Sequence, residues 1–168
     1  MENKKTDLKG SEAWAKINEL VSHTRTALLQ TALHKRPIKT RPMGIQKVND
    51  QGEIYFFSHK ESTKNTELSE NSEAQIIVSN DSNSEYLNLY GKAVVYRDQN
   101  EINDMYSAFA NTWFEGKEDP NITIIKFVPE QGYYWDTKHG KAVQLIGILV
   151  GAITGKQTDD GLSGSLKA

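Results

Sequence analysis

Arg41 and the run Ser62-Thr63-Lys64 are the residues of this 168-residue chain whose types suit the capture of an anion. A guanidinium offers a planar fork of donors and an ammonium a compact point charge, and both match a phosphate ester. Ser62 or Thr63 can cap a short helix, and the free N–H groups of a helix start add donors and a favourable dipole. Between the two lies the pattern RPMGIQKV, NDQG, EIYFFS over residues 41–58. It reads as strand, turn, strand, and a hairpin there sets the helix start beside Arg41. Arg and Lys also decorate many surface hairpins for solubility, so residue types alone leave both an anion site and a solvated basic strand pair open.

Other chemistries find no support. The chain has no GxGxxG, GxxxxGK[ST], HExxH or GxSxG sequence. His23, His34, His59 and His139 are scattered without metal-ligand spacing, and Asp159-Asp160 stands in a Gly-rich polar stretch. With no cysteine there is no disulfide, thiolate metal site or cysteine nucleophile, which fits a reducing compartment. The first ten residues lack the apolar core of a signal peptide, and the most apolar run, AVQLIGILVGAI at 142–153, is too short to span a bilayer. We therefore expect a cytoplasmic protein with no membrane partner. The formal net charge of −2 exerts no global pull on nucleic acid. The charge is uneven, however. Residues 1–60 carry 11 Lys/Arg against 6 Asp/Glu, and residues 61–168 carry 9 against 16. The stretch 35–47 holds Lys35, Arg36, Lys39, Arg41 and Lys47 without an acid. Nucleic-acid binding by this stretch is set against the acidic remainder, and no nucleic-acid partner is expected.

The elements that must position these residues follow from periodicity. Trp14, Ile17, Leu20 and Val21 mark a helix over 11–23. Strands are expected at 26–32, 36–48, 52–58, 74–80, 85–98 and 122–136, and a short helix at 62–71. Pro37 and Pro42 place the 36–48 strand at an edge or on a bulge, because proline cannot donate to a ladder. Gly91 suggests a bulge or a close backbone approach. Asp98 and Glu101 form a capping-box pattern opening a helix whose stripe of Ile102, Met105, Tyr106, Phe109 and Trp113 reads as core. Six strands joined by mostly short connections favour an antiparallel, closed or nearly closed barrel with few helices, a mainly β (α+β) fold. One domain is expected, 10–156, with an N-terminal extension (1–9) and a flexible C-terminal tail (157–168).

Taken in order, Arg41-Pro42-Met43, Phe56-Phe57-Ser58, Ser62-Thr63-Lys64 with Glu67-Leu68, Tyr134-Trp135-Asp136 and the stretch Gly140 to Gly147 resemble the FMN-binding split β-barrel proteins. These form the pyridoxamine 5′-phosphate oxidase-like superfamily, and the likeness is to its general stress protein 26 branch. The resemblance implies a split barrel that binds FMN in clefts between the two subunits of a homodimer. It implies phosphate contacts from Arg41, Ser62, Thr63 and Lys64, and a flavin ring edge along Pro42 and Met43. Phe57 and Ser58 would line the ring and ribityl chain, and Trp135 would reach the flavin from the partner subunit. Pyridoxamine-phosphate oxidases have Arg at the position of Thr63, Lys at Gln46, and Arg and His at Lys141 and Val143. The anchors of a vitamin B6 phosphate are thus replaced, and oxidase activity of that kind is not implied. The expectation is an FMN-dependent stress protein transferring electrons or hydride at the flavin, with catalytic residues and small-molecule redox partner unassigned. The alternative is a non-catalytic store or sensor for FMN or for another phosphorylated or tetrapyrrole ligand.

Overall fold

Alternation sets the strands. In Thr26–Thr31 the inward positions are Ala27, Leu29 and Thr31; in Glu73–Asn80 they are Ala74, Ile76 and Val78. The computed structural model describes residues 7–137 and 161–168. In chain order it contains β1 (Leu8–Lys9), α1 (Ser11–Ser22), β2 (Thr26–Thr31), β3 (Lys39–Val48), β4 (Ile54–His59) and α2 (Thr63–Glu70). Then come β5 (Glu73–Asn80), β6 (Glu85–Tyr96), α3 (Gln99–Met105), a 3-10 turn (Ala108–Thr112), β7 (Ile122–Thr137) and β8 (Gly161–Lys167). The stretch Gly140 to Gly147, with Lys141 and Val143, lies outside the described residues.

Six of the strands close an antiparallel barrel, as the pattern of short connections led us to expect. Neighbours run β7–β4–β3–β2–β5–β6, and β6 returns to β7. Leu29, Phe56, Ile76, Leu89 and Phe127 fill the interior, and α1 adds Ile17, Leu20 and Val21 to the same core. A second apolar cluster sits on the outer face of β4 and β7, where α3 and the segment after it cover Tyr55, Phe57, Ile122 and Ile124. Buried on both faces, β4 reads as the continuous run Ile54-Tyr55-Phe56-Phe57 rather than as an alternation. At Gly91, β6 meets β7 so closely that a Cβ would lie 2.1 Å from the Val128 carbonyl oxygen. The register shifts there, leaving Glu130 as the extra residue between Pro129 and Gln131.

Strand β3 explains how the barrel is split. It begins at Lys39, not Arg36, and lies between β2 and β4 rather than at an edge of the sheet. Its register with β4 starts only at Ile45↔Phe56, with a bulge between Ile45 and Lys47. Residues 39–44 pair with β2 alone, and Phe57, Ser58 and His59 of β4 pair with β7 alone. Pro42 thus occupies a stretch with one unpaired side, where its missing N–H leaves no gap in a ladder. Between the diverging halves of β3 and β4 the barrel opens into a fork.

Two expectations are corrected. The helix after Asp98 is not one long helix. Asp98 accepts the Glu101 N–H at 2.9 Å and α3 starts as expected, but it ends at Met105. Tyr106 and Ser107 are extended, and the chain resumes as the 3-10 turn. Ile102 and Met105 are buried, whereas Phe109 and Trp113 leave the stripe and are 48% and 60% exposed. The C-terminal stretch expected as a flexible tail includes a strand. β8 pairs with β7 from Gln131↔Lys167 to Thr137↔Gly161, on the edge of β7 beyond its β4 partner, and Leu166 is buried. A long strand with an open edge supplies ladder partners that the Gly/Ser composition of 161–165 did not suggest.

Candidate functional site

The fork between β3 and β4 is a cleft of about 520 Å³, within the size range of small-ligand sites. Its wall from β3 is Pro42, Met43, Gly44 and Gln46; from β4 come Phe57, Ser58 and His59. Lys64 stands at one end, and Phe109, Ala110, Trp113 and Phe114 close the other wall.

At the Lys64 end, α2 is docked by polar side chains. Its buried residues are Asn65, Glu67 and Leu68. Asn65 Oδ1 accepts from Ser58 Oγ (2.8 Å) and Ser62 Oγ (3.1 Å), while Asn65 Nδ2 donates to Thr123 Oγ1 (2.9 Å) and the His59 carbonyl (3.2 Å). The Ser62 hydroxyl is thereby turned inward, and Ser62 makes no side-chain cap, so the first N–H groups of α2 keep their donor capacity. Glu67 accepts from Thr31 Oγ1 at 2.6 Å and Arg41 Nη2 at 3.0 Å, and pairs with Lys39 through its other oxygen. Arg41 Nη1 also donates to the buried Thr31 hydroxyl at 2.6 Å. Burial pushes the Glu67 carboxyl up, but the bonds from Lys39, Thr31 and Arg41 outweigh it and hold the pKa down at about 2.

Lys64 is the contrasting cation. Among the described residues it has no hydrogen-bond acceptor and no ion pair. Burial, and then the neighbouring Arg41 charge, lower its pKa, with Glu67 offsetting part of the effect. Arg41 and Lys64, separated by 22 residues of sequence, therefore lie in one electrostatic neighbourhood. The guanidinium fixes two of its donor ends on Thr31 and Glu67, and among the described residues its three other N–H donors are left over.

Of the residues singled out from sequence, Pro42, Met43, Phe57, Ser58 and Lys64 line the cleft, and Arg41 stands beside Lys64. Ser62 and Thr63 open α2 at the same end, with Thr63 exposed. Trp135 is elsewhere in the chain, on the outer face of β7 opposite Tyr86 and Ser163, and is 45% exposed. Sequence reasoning assigned no role to Glu67, Thr31 and Lys39, although Glu67 lies three residues after Lys64 on one helix face, a spacing that invites pairing. It also placed Phe109 and Trp113 in the core. Among the described residues no carboxylate lines the cleft, and Ser58 bonds to Asn65 rather than to a base. Among the described residues no group of three or more His, Asp or Glu could hold a metal, and no helix is long and apolar enough to cross a membrane. The arrangement can take an anion at the Lys64 end and an apolar flat group against the aromatic wall; among the described residues His59 has no carboxylate beside it in the cleft to form an acid–base pair.

Residues 12–159 match the sequence family described as pyridoxamine 5′-phosphate oxidase like. General stress protein 26 of Bacillus subtilis (strain 168) is 27% identical over 118 residues, covering 68% of this chain and 82% of that protein. A crystal structure described as a general stress protein 26 from Jannaschia sp. CCS1 superimposes with a TM-score of 0.72 at 25% identity, over 92% of this chain and 95% of that one. The general stress FMN/FAD binding protein from Xanthomonas citri shares the fold, with a TM-score of 0.63 at 21% identity over 74% of this chain and 87% of that one. The chain belongs to the pyridoxamine 5′-phosphate oxidase-like family, in its general stress protein 26 branch.

Proposed function

We propose that the cleft binds FMN and that the protein is a redox-active flavoprotein of a stress response, working as a homodimer in the cytoplasm. The observation that carries this reading is Lys64. It is a half-buried cation with no acceptor of its own among the described residues, set beside Arg41 where the barrel forks. A phosphate ester supplies the missing acceptor and relieves the repulsion between the two cations. The residues fit the group further, since three Arg41 donors and the uncapped start of α2 remain available there. Arg41, Lys64, Ser62 and Thr63 would hold the phosphate, Pro42 and Met43 would run along the ring edge, and Phe57 and Ser58 would line the ring and ribityl chain. The flavin, when bound, supplies the electron or hydride transfer; the chain's residues bind it, orient it and keep its inner face from water.

The dimer is supported by the outer face of the sheet. Pro42 faces Leu28, Leu28 faces Ile77, and the row continues through Asn88 to Tyr133, with Tyr86 beside Trp135. Leu28, Tyr86, Tyr133 and Trp135 are all exposed along it. A second copy laid on this face would cover apolar surface continuous with the cleft rim and bring its own Trp135 towards that rim. A second reading, a non-catalytic FMN store, is favoured by the lining of the cleft, where Ser58 is bonded to Asn65 and among the described residues no carboxylate joins His59.

The visible spectrum of the purified protein, before and after adding FMN, tests the first point. Bound-flavin absorption with a shifted or structured long-wavelength band is expected. If FMN at several times the protein concentration passes through a desalting column unbound, the reading fails. Sedimentation velocity checks the dimer. Reduction by NADH or NADPH followed by turnover with an added acceptor distinguishes a redox enzyme from a store.

A further inference from the structure

The two ends of the cleft differ in kind. The Lys64 end offers donors and positive charge. The opposite wall comes from residues 109–114, delivered there because α3 stops at Met105 and the chain crosses Tyr106 and Ser107 in extended form. Ala110 and Phe114 anchor this segment in the cluster under α3, and Phe114 meets Phe57 edge-on with centroids 6.3 Å apart. Phe109 and Trp113 do not join that cluster. They pack edge-to-face on each other at 5.0 Å and 72°, and both line the cleft while staying half open to water. Across from them is Gly44. A Cβ there would stand 3.1 Å from Phe109 Cε1, so a side chain at position 44 would push the ring away.

Two large aromatic rings left half wet beside a buried apolar cluster forgo burial that folding would otherwise take. Their edge-to-face pairing, with Phe109 seated over the bare backbone of Gly44, holds them in one arrangement, which is what a preformed wall for a flat group requires. We infer that Phe109 and Trp113 are the ring-binding wall of the cleft, so that the ligand is recognised in two independent halves: a phosphate at Lys64 and Arg41, and a planar aromatic system against these two side chains. This rests on the flavin reading for the identity of the flat group; the wall itself stands on the geometry of the 106–114 segment. It follows that the extra affinity contributed by the phosphate and that contributed by the ring respond to different substitutions.

The test titrates the full-length protein with FMN and with riboflavin, which has the ring but no phosphate, following flavin fluorescence. Thermal melting and sedimentation velocity are recorded for each variant. Phe109→Ala with Trp113→Ala is expected to weaken FMN and riboflavin by the same factor, at least about tenfold, leaving their affinity ratio, the melting temperature and the sedimentation coefficient in place. Trp113→Phe, which keeps a ring, should recover most of the loss. Lys64→Ala should do the reverse, weakening FMN and sparing riboflavin. Riboflavin affinity unchanged within about twofold in the double variant, or a dimer that falls apart with flavin binding retained, overturns the wall. Should the wild type bind neither flavin, 1-anilinonaphthalene-8-sulfonate serves as a plain aromatic probe. Uptake lost with Phe109 and Trp113 would keep the wall and refute the flavin; no such dependence refutes both.

Discussion

Replacing Lys64 by alanine separates binding from folding in a way that few charged residues allow. Among the described residues its ammonium has no acceptor, is partly desolvated, and is repelled by Arg41. Removing it deletes no hydrogen bond or ion pair among the described residues and relieves the Arg41 repulsion, against the loss of a smaller attraction to Glu67, so we expect the melting temperature to stay level or rise. Toward a phosphate ester the same side chain would make a charge-assisted hydrogen bond, about 1.5–3 kcal/mol, which is about 10- to 150-fold in affinity. Arg41→Ala behaves differently. It strips the buried Glu67 carboxylate of one donor and leaves the Thr31 hydroxyl without its guanidinium partner. A stability loss of up to about 3–5 kcal/mol accompanies such a broken buried pair. The two changes together should lower FMN affinity at least about a hundredfold. Isothermal titration with FMN, paired with differential scanning calorimetry of the same samples, measures both quantities. If Lys64→Ala costs less than about threefold in FMN affinity, or costs riboflavin as much as FMN, the anion is held elsewhere and the reasoning fails.

Other outcomes follow from single features of the fold. Glu67 has its folded pKa depressed to about 2 against an ordinary 4.5, so its stabilisation is complete above about pH 4.5 and drains away as the pH falls toward 2. About 3 kcal/mol should be lost across that window, and urea unfolding at stepped pH in wild type and Glu67→Gln should show the wild-type slope vanish in the variant. Gly91→Ala places a Cβ 2.1 Å from the Val128 carbonyl oxygen and should destabilise by at least about 3 kcal/mol; a melting temperature unchanged in this variant would contradict the close β6–β7 approach. Asp98→Ala removes the cap on the Glu101 N–H and should cost about 1 kcal/mol, read from the shift in urea midpoint at constant slope.

Much of this architecture is written in local patterns. The 3.6-residue period of Trp14, Ile17, Leu20 and Val21, the alternation of β5 and β6, the turn at Asn49–Gly52 and the cap at Asp98 all appear where residue types place them. What local patterns could not carry is decided by distant partners. No Gly or Pro interrupts the stripe from Ile102 to Trp113, and it reads as one helix; the break at Tyr106 accompanies burial of Ala110 and Phe114 beside β4 instead. The Gly/Ser-rich β8 is ordered by an edge of β7 lying more than twenty residues upstream. At the site, Arg41 and Lys64 stand out in the sequence as candidate anion binders by their chemistry. Their unlike situations, one cation tied to Glu67 and the other left over, depend on β2, β3 and α2 meeting, and only Glu67's spacing from Lys64 hints at it.

The way α2 is attached to the barrel has a mechanical consequence. A helix resting on an apolar surface can rotate or slip by part of a turn at little expense, since grease against grease is indifferent to direction. This helix is pinned at Asn65 to β4 and β7, and at Glu67 to β2 and β3, through bonds that tolerate only narrow ranges of angle and length. Its height and azimuth are thus locked from four strands at once. Lys64, one residue before the first pin, has its backbone held by those bonds, so that only its own side-chain torsions would remain to be ordered on the proposed anion.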